Sequence, residues 1–102
     1  NLNTQNKYSG TALIAASLSN EYTIAKKLLE NGANPNLRFS DGFTSLHISV
    51  KNRNRKLMNL LLEYKAKTSI KSILGETALS TAIQNEDLKS FRQMDSKLPG
   101  HP

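Results

Sequence analysis

The sequence predicts an all-α fold: a solenoid of three helix-turn-helix units joined by short β-hairpin loops. Three observations predict it. The chain repeats itself, with Thr11, Thr44 and Thr77 spaced 33 residues apart and Leu13, Leu46 and Leu79 in step with them. Within a repeat, apolar residues recur at i, i+3, i+4 and i+7, the pattern of one buried helix face. Between the apolar stretches stand Gly, Pro and Asp-Gly, which turn the chain. A fixed period of this length marks a stacked array in which no unit buries its apolar face alone.

The elements follow in order. In "SGTALIAAS" at 9–17, Thr11 is placed to cap a short helix by accepting from an early backbone N–H, as are Thr44 and Thr77 in their own units. Ala16, Ser49 and Ala82 keep one register small, so that the first helices of neighbouring units can approach closely. "ENGANPN" at 30–36 supplies a turn: Gly32 suits the left-handed residue that ends a helix, and Pro35 stops the helix from resuming. Asp41-Gly42 marks a hairpin.

The first helix of the second unit should run over about 45–52, with Leu46, Ser49 and Val50 on one face. Its second helix should run over about 55–64, with Leu57, Leu60, Leu61 and Tyr64 inward. The third unit repeats the pattern in "GETALSTAI" at 75–83 and then departs from it. There Ser90, Arg92, Gln93 and Asp95 stand in place of aliphatics and predict a polar outer face for a terminal unit. A single domain spans 1–102, with repeats at about 8–40, 41–73 and 74–98 and a tail at 99–102. "DSKLPGHP" at 95–102 reads as a fraying end.

The chain resembles the ankyrin repeat family. The resemblance rests on the Thr-x-Leu-His core of "DGFTSLH", on "AKKLLENGANPN" at 25–36 and on "LMNLLLEYKAK" at 57–67, and it covers nearly the whole chain. The second unit matches the family pattern best. The family's Pro after Thr is replaced by Ala12, Ser45 and Ala78, and its Gly between the helices by Asn20, Arg53 and Glu86. The resemblance implies a non-catalytic protein-binding module that presents hairpin tips and first helices as a concave surface. It also implies that His47 hydrogen-bonds around the hairpin and the helix start.

Composition narrows the classes. A 37% hydrophobic and 22% charged chain of 102 residues is that of one small folded domain rather than a disordered segment. No apolar run is long enough to span a bilayer, and the polar residues 1–8 show no secretory signal. The lack of an initiator Met is expected of an excerpt from a longer chain. The absence of cysteine excludes disulfides and thiolate metal sites and fits an intracellular protein, in cytoplasm or nucleus. The net charge is +6, and the segment from Arg38 to Lys71 holds eight basic residues against two acidic ones. That segment accounts for the whole excess, so a partner drawn by charge should be acidic.

No catalytic constellation emerges. There is no Gly-rich phosphate loop and no His-x-x-x-His, and two His without Cys leave few ligands for a transition metal. No cofactor and no small-molecule substrate are expected. His47 has Ile14 and Ser80 at the equivalent positions, so no chemistry recurs from unit to unit; His101 lies in the tail. Glu86-Asp87 stands at a helix start, where the helix dipole favours an acid.

Two stretches admit two readings each. Ile70, Ile73 and Leu74 either pack beneath their hairpin or project as an apolar patch, because a hairpin strand has two faces. Phe39 and Phe43 raise the same question. "KNRNRK" at 51–56 falls on the turn between the helices of the second unit. It is either a solvated loop or a phosphate contact; it lacks the interleaved aromatics of a base-stacking platform.

By helical phase and hairpin position, Arg38, Ser40, Phe43, Ile48, Lys51, Asn52, Lys71, Ile73 and Glu76 should line the binding surface. The partner should be an acidic, partly apolar segment of another protein. Nucleic-acid binding through the basic middle unit, and packing within a longer array, are the alternatives.

Overall fold

The computed structural model describes residues 2–95, with side chains from residue 10 onward. The residues of the tail, His101 among them, lie outside the described range. Among the described residues six α-helices form three antiparallel pairs: α1 (Leu2–Leu18) with α2 (Tyr22–Glu30), α3 (Ser45–Lys51) with α4 (Arg55–Glu63), and α5 (Ala78–Gln84) with α6 (Leu88–Asp95). The first helices stack in the order α1, α3, α5, and α2 packs on α4. No regular strand forms among the described residues; the links between pairs close as hairpin-shaped loops.

The core lies where the period places it. Leu13, Ala25, Leu46, Leu57, Leu61, Ala82 and Met94 are buried in one continuous cluster. Ala16, Ser49 and Ala82, the small-residue register, are all buried on the first helices, which pack on one another. The Ser49 hydroxyl turns back to the Leu46 carbonyl at 2.9 Å, so a polar residue sits there without an unsatisfied group.

Two of the three Thr caps are formed. Thr44 Oγ1 accepts from the N–H of His47, and Thr77 Oγ1 from the N–H of Ser80 at 3.1 Å; each partner side chain accepts in return from the Thr N–H, completing a capping box. Thr11 is a correction. It lies inside α1, which begins at Leu2, so it starts no helix. The residues ahead of it contain neither Pro nor an Asp-Gly turn, and Gly10 is used for closeness instead of turning: a Cβ there would stand 2.7 Å from Leu37 Cδ2.

Five helices end in the same way. Asn20, Gly32, Arg53, Lys65 and Glu86 all take positive φ, and the residue after each donates its N–H to the carbonyl five positions back. Ala33 to the Leu28 carbonyl and Ala66 to the Leu61 carbonyl, both 3.0 Å, show the pattern. This is the Schellman closure, which satisfies carbonyls the helix leaves open. Only one of the five residues is a glycine.

Side chains also fasten one pair to the next. Asn36, after α2, donates to the Lys65 carbonyl at 3.3 Å and accepts from the Lys67 N–H at 2.8 Å. Its amide therefore acts toward the second pair as a peptide group would.

The third pair departs from the polar outer face predicted for it. Ser90 is not outward: it is buried and bonded to Asp87. Arg92 and Gln93 are exposed, but Ile83 and Leu88 are exposed with them. The face is mixed because the helical phase turns Ser90 inward under the cap of α6.

Candidate functional site

The hairpins are built from main-chain bonds. In the second unit the Phe39 N–H donates to the Phe43 carbonyl at 2.6 Å, and Asp41 and Gly42 both take positive φ (63° and 80°). In the third unit the Ser72 N–H donates to the Glu76 carbonyl at 2.8 Å. One more bond, from the Ile73 N–H to the Asp41 carbonyl at 2.8 Å, lays the two loops side by side. Gly42 suits this contact: at φ 80° a side chain is strained, and a Cβ would press on main chain, 3.1 Å from the Ile73 nitrogen.

His47 locks the loops to the helices. Its Nδ1 accepts from the Thr44 N–H at 3.1 Å, which puts the ring proton on Nε2, and Nε2 donates to the Glu76 carbonyl at 3.0 Å. The ring is almost wholly buried and both nitrogens are engaged, as the family resemblance implies.

Between the hairpin and the first helices lies an open groove of about 340 Å³. Leu18 at the end of α1 forms one wall. Phe39, Ser40, Asp41 and Phe43 come from the hairpin, and His47, Ile48, Lys51 and Asn52 from α3. The Phe43 ring meets His47 edge-on, with centroids 5.5 Å apart and planes at 79°. The Lys51 ammonium stands 5.7 Å from the centre of the Phe43 ring, within cation–π reach. The groove can hold an apolar side chain, with a cation at one wall and the Asp41 carboxylate at the hairpin tip.

Five of the nine residues predicted for the binding surface are brought together here: Ser40, Phe43, Ile48, Lys51 and Asn52. Ile48 is mostly buried and offers the groove only its edge. Arg38, Lys71 and Glu76 do not line it. Ile73 projects from the hairpin closed by Ser72 and Glu76, 76% exposed, beside Asp41. Leu74 is equally exposed and Ile70 half-buried, so the projecting reading holds for Ile73 and Leu74. Leu18 was missed by the sequence reading, although it stands 33 residues before Lys51 and the period could have found it.

The stretch "KNRNRK" is exposed except for the half-buried Asn54, and several of its side chains are held by neighbours. The Asn54 side chain caps α4 by accepting from the Leu57 N–H at 3.1 Å and donates to Asn20 Oδ1 at 3.2 Å. The Arg53 guanidinium donates to the Asn85 carbonyl, and the Asn85 amide donates to the Val50 carbonyl at 3.3 Å. The Lys56 ammonium lies 4.4 Å from the centre of the Tyr22 ring. The stretch thus reaches both neighbouring pairs.

Asp87 lies beyond it, at the start of α6. The Ser90 hydroxyl donates to it at 2.7 Å, and this bond is the main reason its carboxyl titrates below the usual value. Burial pushes the other way. The Ser90 N–H, at 3.2 Å, and the charges of Arg55 and Arg53 add to the lowering.

Stacked helix pairs with paired hairpin tips and a groove beside them define a helical repeat protein. The chain belongs to the ankyrin repeat family: the family model for ankyrin repeats, in three copies, matches residues 13–94. Ankyrin repeats are in general protein–protein interaction modules, and the family is generally non-catalytic.

Relatives carry the same mark. A Rickettsia felis protein named for its ankyrin repeats is 33% identical over 105 residues, covering 92% of this chain and 46% of the relative. Human Rabankyrin-5 is 40% identical over 89 residues, covering 86% of this chain and 8% of its own length. The human transient receptor potential cation channel subfamily A member 1 is 35% identical over 92 residues, covering 89% and 8%. The chain therefore spans less than half the length of these relatives. Among the described residues no helix is long and apolar enough to cross a membrane.

Proposed function

We propose that this chain is a non-catalytic module that binds an acidic, partly apolar segment of another protein. The carrying observation is the groove itself: Leu18, Phe39, Phe43 and Ile48 line it with apolar surface, and the Lys51 ammonium stands 5.7 Å from the centre of the Phe43 ring. An aliphatic or aromatic side chain fills the groove, and a neighbouring carboxylate pairs with Lys51. Ser40 and Asn52 supply hydrogen bonds at the rim. Arg38 and Lys71, both exposed, together with Ile73 and Glu76 on the adjacent hairpin, extend the contact. Anchors of this kind set the residence time, whereas rim cations set orientation and on-rate. The engagement of both His47 nitrogens supports the non-catalytic reading. The absence of cysteine supports an intracellular setting.

Selection of a random peptide display library on the immobilised chain tests the reading. Enriched peptides should carry a large apolar side chain flanked by Asp or Glu. Phe43→Ala should speed their dissociation at least about tenfold, or about 1.4 kcal/mol. Lys51→Glu should slow association and weaken its salt dependence, while Arg55→Glu should change affinity by less than about tenfold. Enrichment of basic peptides, or tight salt-dependent binding of nucleic acid that Arg55→Glu abolishes and Phe43→Ala does not, would overturn it.

A further inference from the structure

We infer that the outer face of α5 and α6 is a docking face for a further helix pair of the same build, one that carries a hydrogen-bond donor on its own helix-to-helix turn. The argument starts one unit back. Val50, on the helix that packs against α5, and Met58, on α4, are each 1% exposed. Thirty-three residues later the same positions hold Ile83 and Phe91. They are still apolar, and each is larger than its counterpart. Yet Ile83 is 60% exposed and Phe91 half-buried.

With Ala82, Glu86 and the exposed Leu88, these two residues line one open groove. Scattered apolar residues on a surface are ordinary. Here they share a groove in the register that forms an interface one unit earlier, which marks the face as the continuation of that interface.

The turn supplies the chemistry of the occupant. Asn20, Arg53 and Glu86 take the same left-handed conformation at φ 58°, 58° and 56°. The first two bond across a unit step: Asn20 Oδ1 accepts from Asn54, and Arg53 donates to the Asn85 carbonyl. An ionised Glu86 side chain can only accept. The pair that docks there must bring a donor, as Asn54 does for Asn20.

A four-unit chain tests this, with a copy of residues 30–66 joined after Asp95 and the copy's own outer residues made polar by Val50→Gln and Met58→Gln. The copy brings the Asn54 amide to Glu86. Urea unfolding should remain a single transition with a higher midpoint and an m-value larger by roughly a third, as the added buried surface requires. Ile83→Glu should scarcely move the midpoint of the natural chain but should cancel the gain in the four-unit chain. Asn54→Asp in the copy should lower the midpoint.

A copy that melts separately, leaving amide exchange in α5 and α6 unchanged, would overturn the inference, because the same residues fold in the parent. Equal effects of Ile83→Glu in both chains would do the same. Concentration-dependent self-association of the natural chain in sedimentation, abolished by Ile83→Glu, would assign the face to a second copy instead. No effect of Asn54→Asp would remove the donor requirement.

Discussion

His47 and Glu76 are joined by a hydrogen bond from the imidazole Nε2 to the main-chain carbonyl, 3.0 Å long and 29 residues apart in sequence. The same ring accepts from the Thr44 N–H, so one side chain holds a helix start in the second pair and the loop that leads into the third. His47→Ala leaves a buried N–H and a carbonyl unpaired and should cost about 1–3 kcal/mol. Urea denaturation measures it. A loss below about 0.5 kcal/mol, the size of an ordinary surface change, would mean that the link does not hold the units together.

Gly42 should resist any side chain. Its φ is 80°, and an added Cβ meets Ser72 and Ile73 main chain. Gly42→Ala should lower stability by about 1–3 kcal/mol, the usual cost of a strained backbone position. Gly75, also at positive φ but with open space around it, should lose less on the same change. Thermal melts of the two variants side by side would decide; equal losses would show that the contact between the loops contributes nothing.

Lys65 offers a gain. It takes φ 70° at the C-terminal closure of α4, where α2 has Gly32, and its side chain is exposed. Its bonds to Leu62 and Asn36 use main-chain atoms and survive substitution. Lys65→Gly should stabilise the chain by about 1 kcal/mol, since left-handed backbone is unfavourable for residues with a Cβ. A lower melting temperature would contradict this.

Asp87 sets an acid limit. Its folded pKa lies below the unfolded value, so its contribution is fully present above the ordinary Asp range and is lost as pH falls through the folded pKa. Asp87→Asn keeps an N-cap but removes the charge. The stability difference between the natural chain and this variant should be constant near neutrality, shrink below about pH 4, and vanish at lower pH. Asp87→Ala should cost about 0.5–2 kcal/mol at neutral pH, as for other lost caps. A difference that does not change with pH would exclude the bond from Ser90 as a source of stability.

The fold was largely legible because its evidence is periodic. The 33-residue spacing placed Leu13 and Leu46 in the core and Leu79 against it, and the repeated Thr placed two helix starts, at Thr44 and Thr77. Thr11 failed because a cap needs a chain that turns before it, and the residues ahead of Thr11 continue the helix. The site was less legible. Helical phase and hairpin position put Phe43, Lys51 and Asn52 on one surface, and they line one groove, but Leu18 comes from a neighbouring unit, and which residues face one another across units depends on how the units stack. "KNRNRK" was the least legible stretch. Its partners, Asn20, Tyr22 and Asn85, lie 29 or more residues away in sequence, and nothing local in Arg53 or Lys56 announces them.

The amide of Asn36 fixes how the gene for this chain can change length. Because it grips both Lys65 and Lys67, one residue added or removed between Asn36 and Lys65 shifts the α3–α4 pair against its neighbour and breaks both bonds. The tip at Ile73–Gly75 is different. Beyond the Ile73 N–H that bonds Asp41, Leu74 is exposed and Gly75 has open space around it, so extra residues between Leu74 and Gly75 would extend into solvent without disturbing the stack. Insertions and deletions should therefore be confined in descendants of this sequence to the hairpin tip, while the stretch from Asn36 to Lys67 keeps a constant length.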